Sequence, residues 1–392
     1  MRINDLEEDS SAVPEREGRI VRRKFIRQMA KAALSSGVGL TLLGCPRKNS
    51  TIDSIKDFKI TKQPPKELTD LSMLCWTDNA LDEFVGPFES QYGVRIKRTY
   101  FEGNANAFEK MKLGGTQVYD IVQCDALWPQ KYAEAGLVDP IDFRDYPDSY
   151  PTLWDCFKQP AYQMYKGEWY AFPNCWDAVG VGYNTEKVRP APTGFDALWD
   201  KKYKGQVAFP IVEDNTVQVA ALHLGYDDIY CLTQEQLSAC YADLVLLRSN
   251  ARKLYTDLNE IEQLFGRDEA ALGLVVISWV ILKLKKQGLP FELFTPRVTQ
   301  GWVDTYMISS GSTHKEMAKF FINWYTSPVS QMNFLKVESK RTCQAGVRRF
   351  LTQAEIDFYG MNNPADVLAG LLLYKPTCRA EKYAEILARL KV

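Results

Sequence analysis

The chain reads as an α/β protein of two lobes, and three observations predict that class. Apolar residues switch repeatedly between a period of two and a period near 3.6, the alternation of strand and helix that builds parallel sheets with right-handed crossovers. At 392 residues the chain is too long for one small core and suits two domains of roughly 100–200 residues each. It is 46% hydrophobic and 12% aromatic, apolar enough to fill both.

The folded part is expected to begin near Leu68. The run "LSMLCW" at 71–76 is a short strand closed by polar "TDN". A helix follows, with apolar spacing at Leu81, Phe84, Val85 and Phe88 and a stop at Gly93; Val94 and Ile96 then alternate as a strand. A second helix around "AFEKMKLGG" closes on Gly114 and Gly115, strand "YDIVQC" comes next, and helix "WPQKYAEAG" ends at Gly136. Residues 168–188 read as extended with Pro173 as a bend, and helices follow at "NTVQVAALHLG", "TQEQLSACYADLVLLRS" and "LNEIEQLFG". The run "ALGLVVISWVILKLKKQG" reads as a buried strand and helix, because it holds Ser278 and ends in Lys283, Lys285 and Lys286, which a membrane span would not. After residue 300 the chain returns to strand, then to helix "KEMAKFFINWYTSP". In sheets of this kind ligands sit at the carboxyl ends of the strands.

The return strand "QGWVDTYM" at 300–307 places Trp302, Asp304 and Tyr306 on one face, since successive side chains of a strand point to opposite sides. A buried unpaired carboxylate is costly, so Asp304 is either solvated or paired with a cation.

The N-terminus reads as an export signal over 1–45. Arg22 and Arg23, followed by Phe25 and Ile26, resemble the twin-arginine pattern, and the uncharged run from Ala32 to Gly44 is too short for a spanning helix. "LLGC" resembles a bacterial lipobox, with Cys45 as the acylated residue. The segment before Cys45 carries 8 basic and 6 acidic side chains, so its removal leaves 40 basic against 43 acidic. Residues 46–67, holding Pro64 and Pro65, read as a flexible tether.

Charge is balanced over the whole chain, 48 basic against 49 acidic, which offers no footprint for nucleic acid. The two histidines, His223 and His314, have no triad-like or metal-like spacing, and no G-x-S-x-G, H-E-x-x-H or Walker loop is present, so no enzyme, cofactor or metal is indicated. Besides Cys45 there are eight cysteines without a CxxC, read as mostly free buried thiols; Cys75, Cys124 and Cys175 fall at strand ends, as small buried thiols or as a disulfide or soft-metal site.

Five segments in order, over roughly 70 to 350, resemble the periplasmic spermidine/putrescine-binding proteins of ABC importers: "KLGGTQVYDIV", "VGVGYNTEKV", "FDALWDKKYKGQVAFP", "GWVDTYMI" and "AKFFINWYTSP". The resemblance implies a periplasmic binding protein-like fold of type II, two discontinuous α/β lobes with a ligand cleft between them. Lobe one is expected from 68–176 plus 303–349, and lobe two from 177–302 plus 350–392. It implies capture of a putrescine- or spermidine-like amine for an ABC permease, in the periplasm or at the outer face of the cytoplasmic membrane, lipid-anchored if Cys45 is processed. The family's ligand residues fall on Trp76, Thr77, Asp78, Trp279, Trp302 and Asp304, with acids near Glu213 and Asp214. Rings suit the methylenes of such an amine, and carboxylates its ammonium ends, with cation–π contacts worth about 0.5–2 kcal/mol each.

Two departures bear on the ligand. Cys124, Asp125 and Ala126 stand where the family has a Ser and a Tyr, which adds Asp125 to the candidate ligand residues. "SKRTCQ" replaces Gly-Tyr-x-Thr-Pro-Asn and sets Lys340 where an aromatic is expected; it would oppose a cationic ligand unless Asp125 pairs with it. A thiamine-like solute or ferric ion, or a sensor or docking lipoprotein outside transport, stand as alternatives, although the adjacent tyrosines of iron binders are absent.

Overall fold

A computed structural model describes residues 60–211, 214–257 and 259–391. Arg22, Arg23, Cys45, the tether before Ile60 and Glu213 lie outside the described residues. Thr61 and Lys62 are bound to the body: both backbone amides donate to Asp148, and Lys62 Nζ donates to the Asp145 carbonyl at 2.6 Å.

The first lobe opens with β1 (Leu71–Cys75), β2 (Ile96–Tyr100) and β3 (Ile121–Asp125). Helices Asp82–Tyr92 and Asn104–Lys112 connect them, and β2 and β3 both lie parallel to β1. Helix Asp82–Tyr92 buries Phe84, Val85 and Phe88 and ends at Gly93, whose φ of 68° is a left-handed conformation that glycine adopts without a Cβ clash. β4 (Phe172–Ala178) then leads into the second lobe. There β5 (Gly180–Asn184), β6 (Val207–Pro210), β7 (Ala251–Tyr255), β8 (Leu272–Val275) and β9 (Phe291–Phe294) form one sheet in the order β9–β5–β8–β6–β7. β10 (Thr299–Ile308) carries the chain back, and β11 (Leu371–Leu373) pairs with its first residues. The first sheet has the order β11–β10–β3–β1–β2, with β4 also on β10.

Both sheets follow one plan. A first strand, β1 or β6, sits between two parallel neighbours, and an antiparallel strand, β10 or β5, lies beyond the third. The predicted run after residue 270 is strand β8 and the helix Trp279–Lys286. No helix among the described residues is long and apolar enough to cross a membrane.

The lobes are joined through β4 and β10, antiparallel from Gly301 opposite Ala178 to Tyr306 opposite Phe172, with every residue of both buried. At the end of β4, Asp177 is fully buried and accepts from the backbone amides of Ser278 at 2.7 Å and Ala178 at 2.8 Å, with the Arg341 guanidinium at 3.4 Å. Burial raises its pKa, against the pull of Arg341 and these donors. The Ser278 contact fixes the start of helix Trp279–Lys286 and therefore the place of Trp279.

Among the cysteines, Cys231 and Cys378 form a disulfide across 147 residues. Cys75, Cys124 and Cys175 are separate buried thiols: Cys124 Sγ lies 3.6 Å from Thr305 Oγ1, and Cys175 Sγ donates to Asp304. Burial lifts the Cys75 thiol to about 12 and the other two well above the usual thiol value, so all three are uncharged hydrogen-bonding groups. The disulfide fastens the helix Ala380–Lys391, which buries Tyr383, Ile386, Leu387 and Leu390. Closing a loop of that length constrains the unfolded chain, so reduction is expected to lower unfolding stability by about 2–4 kcal/mol. Urea unfolding with and without dithiothreitol, alongside mass spectrometry for one linked Cys231–Cys378 peptide pair, checks this.

Candidate ligand-binding cleft

Three strand ends of the first lobe deliver polar groups to one place. β1 runs out into the turn Thr77–Asn79, held where the Trp76 amide donates to Gln123 Oε1 at 2.9 Å. β3 ends on Asp125, and the antiparallel register of β10 puts Asp304 directly opposite it. The period-two reading holds for Trp302 and Asp304, both at the cleft. Tyr306 lies deeper, fully buried and edge-on to Tyr325, beyond an irregularity between Asp304 and Thr305 in the pairing with β4.

These ends and the second lobe enclose a cavity of about 480 Å³. Seven predicted residues line it: Trp76, Thr77, Asp78, Asp125, Trp279, Trp302 and Asp304. Its remaining wall is Phe101, Val276, Ile277 and Tyr374, together with the loop that carries Thr256, Asp257 and Asn259. Trp279 and Trp302 meet edge to face with ring centroids 5.9 Å apart, and Trp76 packs on Phe101 at 4.4 Å. Among the described residues, four carboxyl side chains line the cavity and no basic one does, a lining suited to a cation with an apolar body.

Asp304 lies deep in this lining. It is 6% exposed, accepts from Asn79 Nδ2 at 2.5 Å and from the Cys175 thiol at 3.4 Å, and shares a hydrogen bond with the Asp125 carboxyl. Burial first, then the Asp125 and Asp78 charges, raise its pKa well above the carboxylate range, while the Asn79 hydrogen bond opposes them. Asp125 is also 6% exposed and is locked reciprocally to Asn104: Asn104 Nδ2 donates to Asp125 Oδ2 at 2.8 Å, and the Asp125 amide donates to Asn104 Oδ1 at 2.9 Å.

Lys340, which the sequence set as a possible partner of Asp125, pairs with Asp78. Lys340, 1% exposed, sets Nζ 2.6 Å from Asp78 Oδ2 and donates to the Asp78 carbonyl at 2.7 Å and to Asn79 Oδ1 at 3.1 Å. The physical reason is that Asn104 and Asp304 already hold Asp125, whereas the turn after β1 offers Lys340 a carboxylate and two further oxygens. Asn79 was not predicted; one amide of this fully buried side chain joins Lys340 to Asp304, and nothing in "WTDN" signals that role.

Asp214 lies in a second cavity of about 400 Å³, which shares Asp125 and Tyr374 with the first and adds Glu102, Trp128 and Tyr230. It stands at the start of helix Asn215–His223 without capping it, accepts instead from Thr377 Oγ1 at 3.0 Å, and burial raises its pKa. Phe101 and Tyr374 were also missed by sequence reasoning. Tyr374 comes from the strand end after β11, held by its amide on the Gly301 carbonyl at 2.9 Å.

The fold and cleft define a two-lobed binding protein. The chain belongs to the bacterial extracellular solute-binding protein family, whose profile matches residues 83–354; this is a family of transport binding proteins, not of enzymes. It is similar to the putrescine-binding periplasmic protein PotF of Escherichia coli, 23% identical over 324 residues, covering 76% of this chain and 85% of PotF. Among solved structures it is similar to a putative spermidine/putrescine ABC transporter protein from Listeria monocytogenes, with TM-score 0.70, 21% identity and coverage of 83% and 99% of the two chains. It also resembles the spermidine/putrescine ABC transporter substrate-binding protein PotD of Streptococcus pneumoniae, with TM-score 0.67, 20% identity and the same coverages.

A carboxyl whose folded pKa is raised contributes stability below its unfolded pKa and loses it as pH rises through the folded value. Asp304→Asn does not titrate and keeps an acceptor for Asn79, so it is expected to raise the unfolding temperature of the ligand-free protein, with a larger gain at pH 8 than at pH 5. Calorimetric melts at the two pH values check this; an unchanged or reversed difference would show that the Asp304 charge carries no strain.

Proposed function

We propose that the protein captures a small organic amine of the putrescine or spermidine type outside the cytoplasm and delivers it to an ABC importer. The observation that carries this reading is the aromatic cavity lined, among the described residues, by four carboxyl groups and no basic side chain. The names of the similar proteins, PotF and the two spermidine/putrescine transporter components, support it. Trp302 and Trp279 present faces to methylenes, and the Asp125–Asp304 pair receives an ammonium. Export through Arg22 and Arg23 and acylation of Cys45 would hold the body at a membrane surface, which the twin-arginine and lipobox patterns support.

Binding on this reading is coupled to a proton. With its pKa raised, Asp304 holds its proton more tightly in the ligand-free cleft, and an ammonium beside it favours the ionised form, so the amine displaces the proton where Asp304 is protonated. Affinity therefore climbs as pH rises toward the raised Asp304 value and levels off above it. Isothermal calorimetry with putrescine and spermidine, in buffers of different ionisation enthalpy, is expected to report proton release. Truncating one partner of a buried charge pair costs about 2–5 kcal/mol, so Asp304→Asn is expected to weaken amine binding about 30-fold or more. Absence of heat with both amines, or equal affinity in the variant, would refute the assignment.

A further inference from the structure

We propose that the Cys231–Cys378 disulfide is a positioning clasp for ligand binding. It holds still the segment 371–378, which contributes wall to both cavities, so that affinity for the amine depends on a bond that lines neither of them. The inference rests on the amine-binding reading and deepens it.

The segment leaves the first sheet and ends against a loop of the second lobe. β11 lies along Thr299–Gly301 of β10, and after it residues 374–377 run on without helix or strand. Tyr374 lines both cavities, and Lys375, Pro376 and Thr377 line the second. Two of these side chains also reach the start of helix Asn215–His223: the Tyr374 hydroxyl accepts from Asn215 Nδ2, and Thr377 Oγ1 donates to Asp214. Tyr230 and Cys231 meet the segment from the other side. The Tyr230 hydroxyl donates to the Leu372 carbonyl at 2.8 Å, the Tyr230 carbonyl accepts from the Cys378 amide at 3.0 Å, and Cys231 forms the bond. Neither cysteine is among the residues that line the two cavities.

None of residues 371–378 is fully buried, so the segment has little apolar anchorage and belongs to the class of structure that opens locally. Its hydrogen bonds compete with water, whereas the covalent bond does not. The helix that follows is held by more than this bond: it buries Tyr383, Ile386, Leu387 and Leu390, and the Tyr383 hydroxyl donates to the Ile229 carbonyl at 2.8 Å. Opening the disulfide therefore loosens the cavity wall while the helix stays docked. A wall that has to be ordered as the ligand arrives lowers affinity by the entropy of that ordering.

Calorimetry of putrescine and spermidine with the wild-type protein and with the double variant Cys231→Ser, Cys378→Ser tests this. The variant is expected to keep its circular dichroism spectrum and to bind about fivefold more weakly or worse, the cost of ordering one wall segment on binding. The same loss is expected for wild-type protein treated with dithiothreitol, which opens the bond to two thiols and is itself oxidised to its cyclic disulfide; this measurement decides if the variant fails to fold. Tyr374→Ala separates positioning from general support. If the clasp acts through this wall, opening the bond in the Tyr374→Ala protein should weaken binding by less than about twofold further. Unchanged affinity in folded protein without the bond, or full addition of the two losses, overturns the proposal and leaves amine binding intact. If the wild-type protein binds neither amine, the amine-binding reading itself fails, and the inference falls with it.

Discussion

The cleft is organised around two carboxyl groups that the sheet register forces to face each other. Asp304 on β10 is paired with Asp125 on β3, and each is only 6% exposed. Two ionised carboxylates cannot share such a place at modest cost, and the raised pKa of Asp304 is the response. The neighbours are arranged to tolerate it. Asn79 and Cys175 donate to Asp304, Asn104 secures Asp125, and the rings of Trp76, Trp279 and Trp302 line the same cavity as the pair. The same low-polarity surroundings that make the pair expensive strengthen its attraction for a positive group.

That arrangement depends on parts of both lobes meeting at the crossing strands. Trp302 arrives on β10, and Trp279 arrives on a helix of the second lobe whose first turn is tied through the Ser278 amide to Asp177 on β4. Their edge-to-face contact brings the two lobes onto one ligand surface. A movement of either lobe about β4 and β10 changes the distance between the acids and the second-lobe ring, which is the geometry hinge closure needs.

Much of this was legible in the sequence, because it rests on local periodicity and on order along the chain. The alternating strand and helix runs gave parallel β1, β2 and β3, and the period-two pattern of "QGWVDTYM" put Trp302 and Asp304 on the cleft side. Depth along the strand was not legible: Tyr306 obeys the same period and is buried against Tyr325, because a period states which face and not how far inside the lobe. Partners distant in sequence were not legible either. Lys340 meets Asp78 across 262 positions, and Asn79 meets Asp304 across 225, contacts that only the completed crossing of the chain creates. The "LWDKKYKG" run, part of the family resemblance, lies at neither cavity. Trp199 stacks on His223, and Asn250 binds the carbonyls of Leu198 and Asp200, so its signal is one of local packing.

The position of Lys340 then has an electrostatic logic of its own. Three carboxyl groups, Asp78, Asp125 and Asp304, converge on a small region, and both Asp78 and Asp125 raise the Asp304 pKa. Left ionised together they would repel, and a carboxyl kept protonated loses its contribution to stability as pH rises through its folded pKa. An internal ammonium on Asp78 removes one charge from that sum through an ion pair with two further acceptors, which satisfies the buried lysine as well.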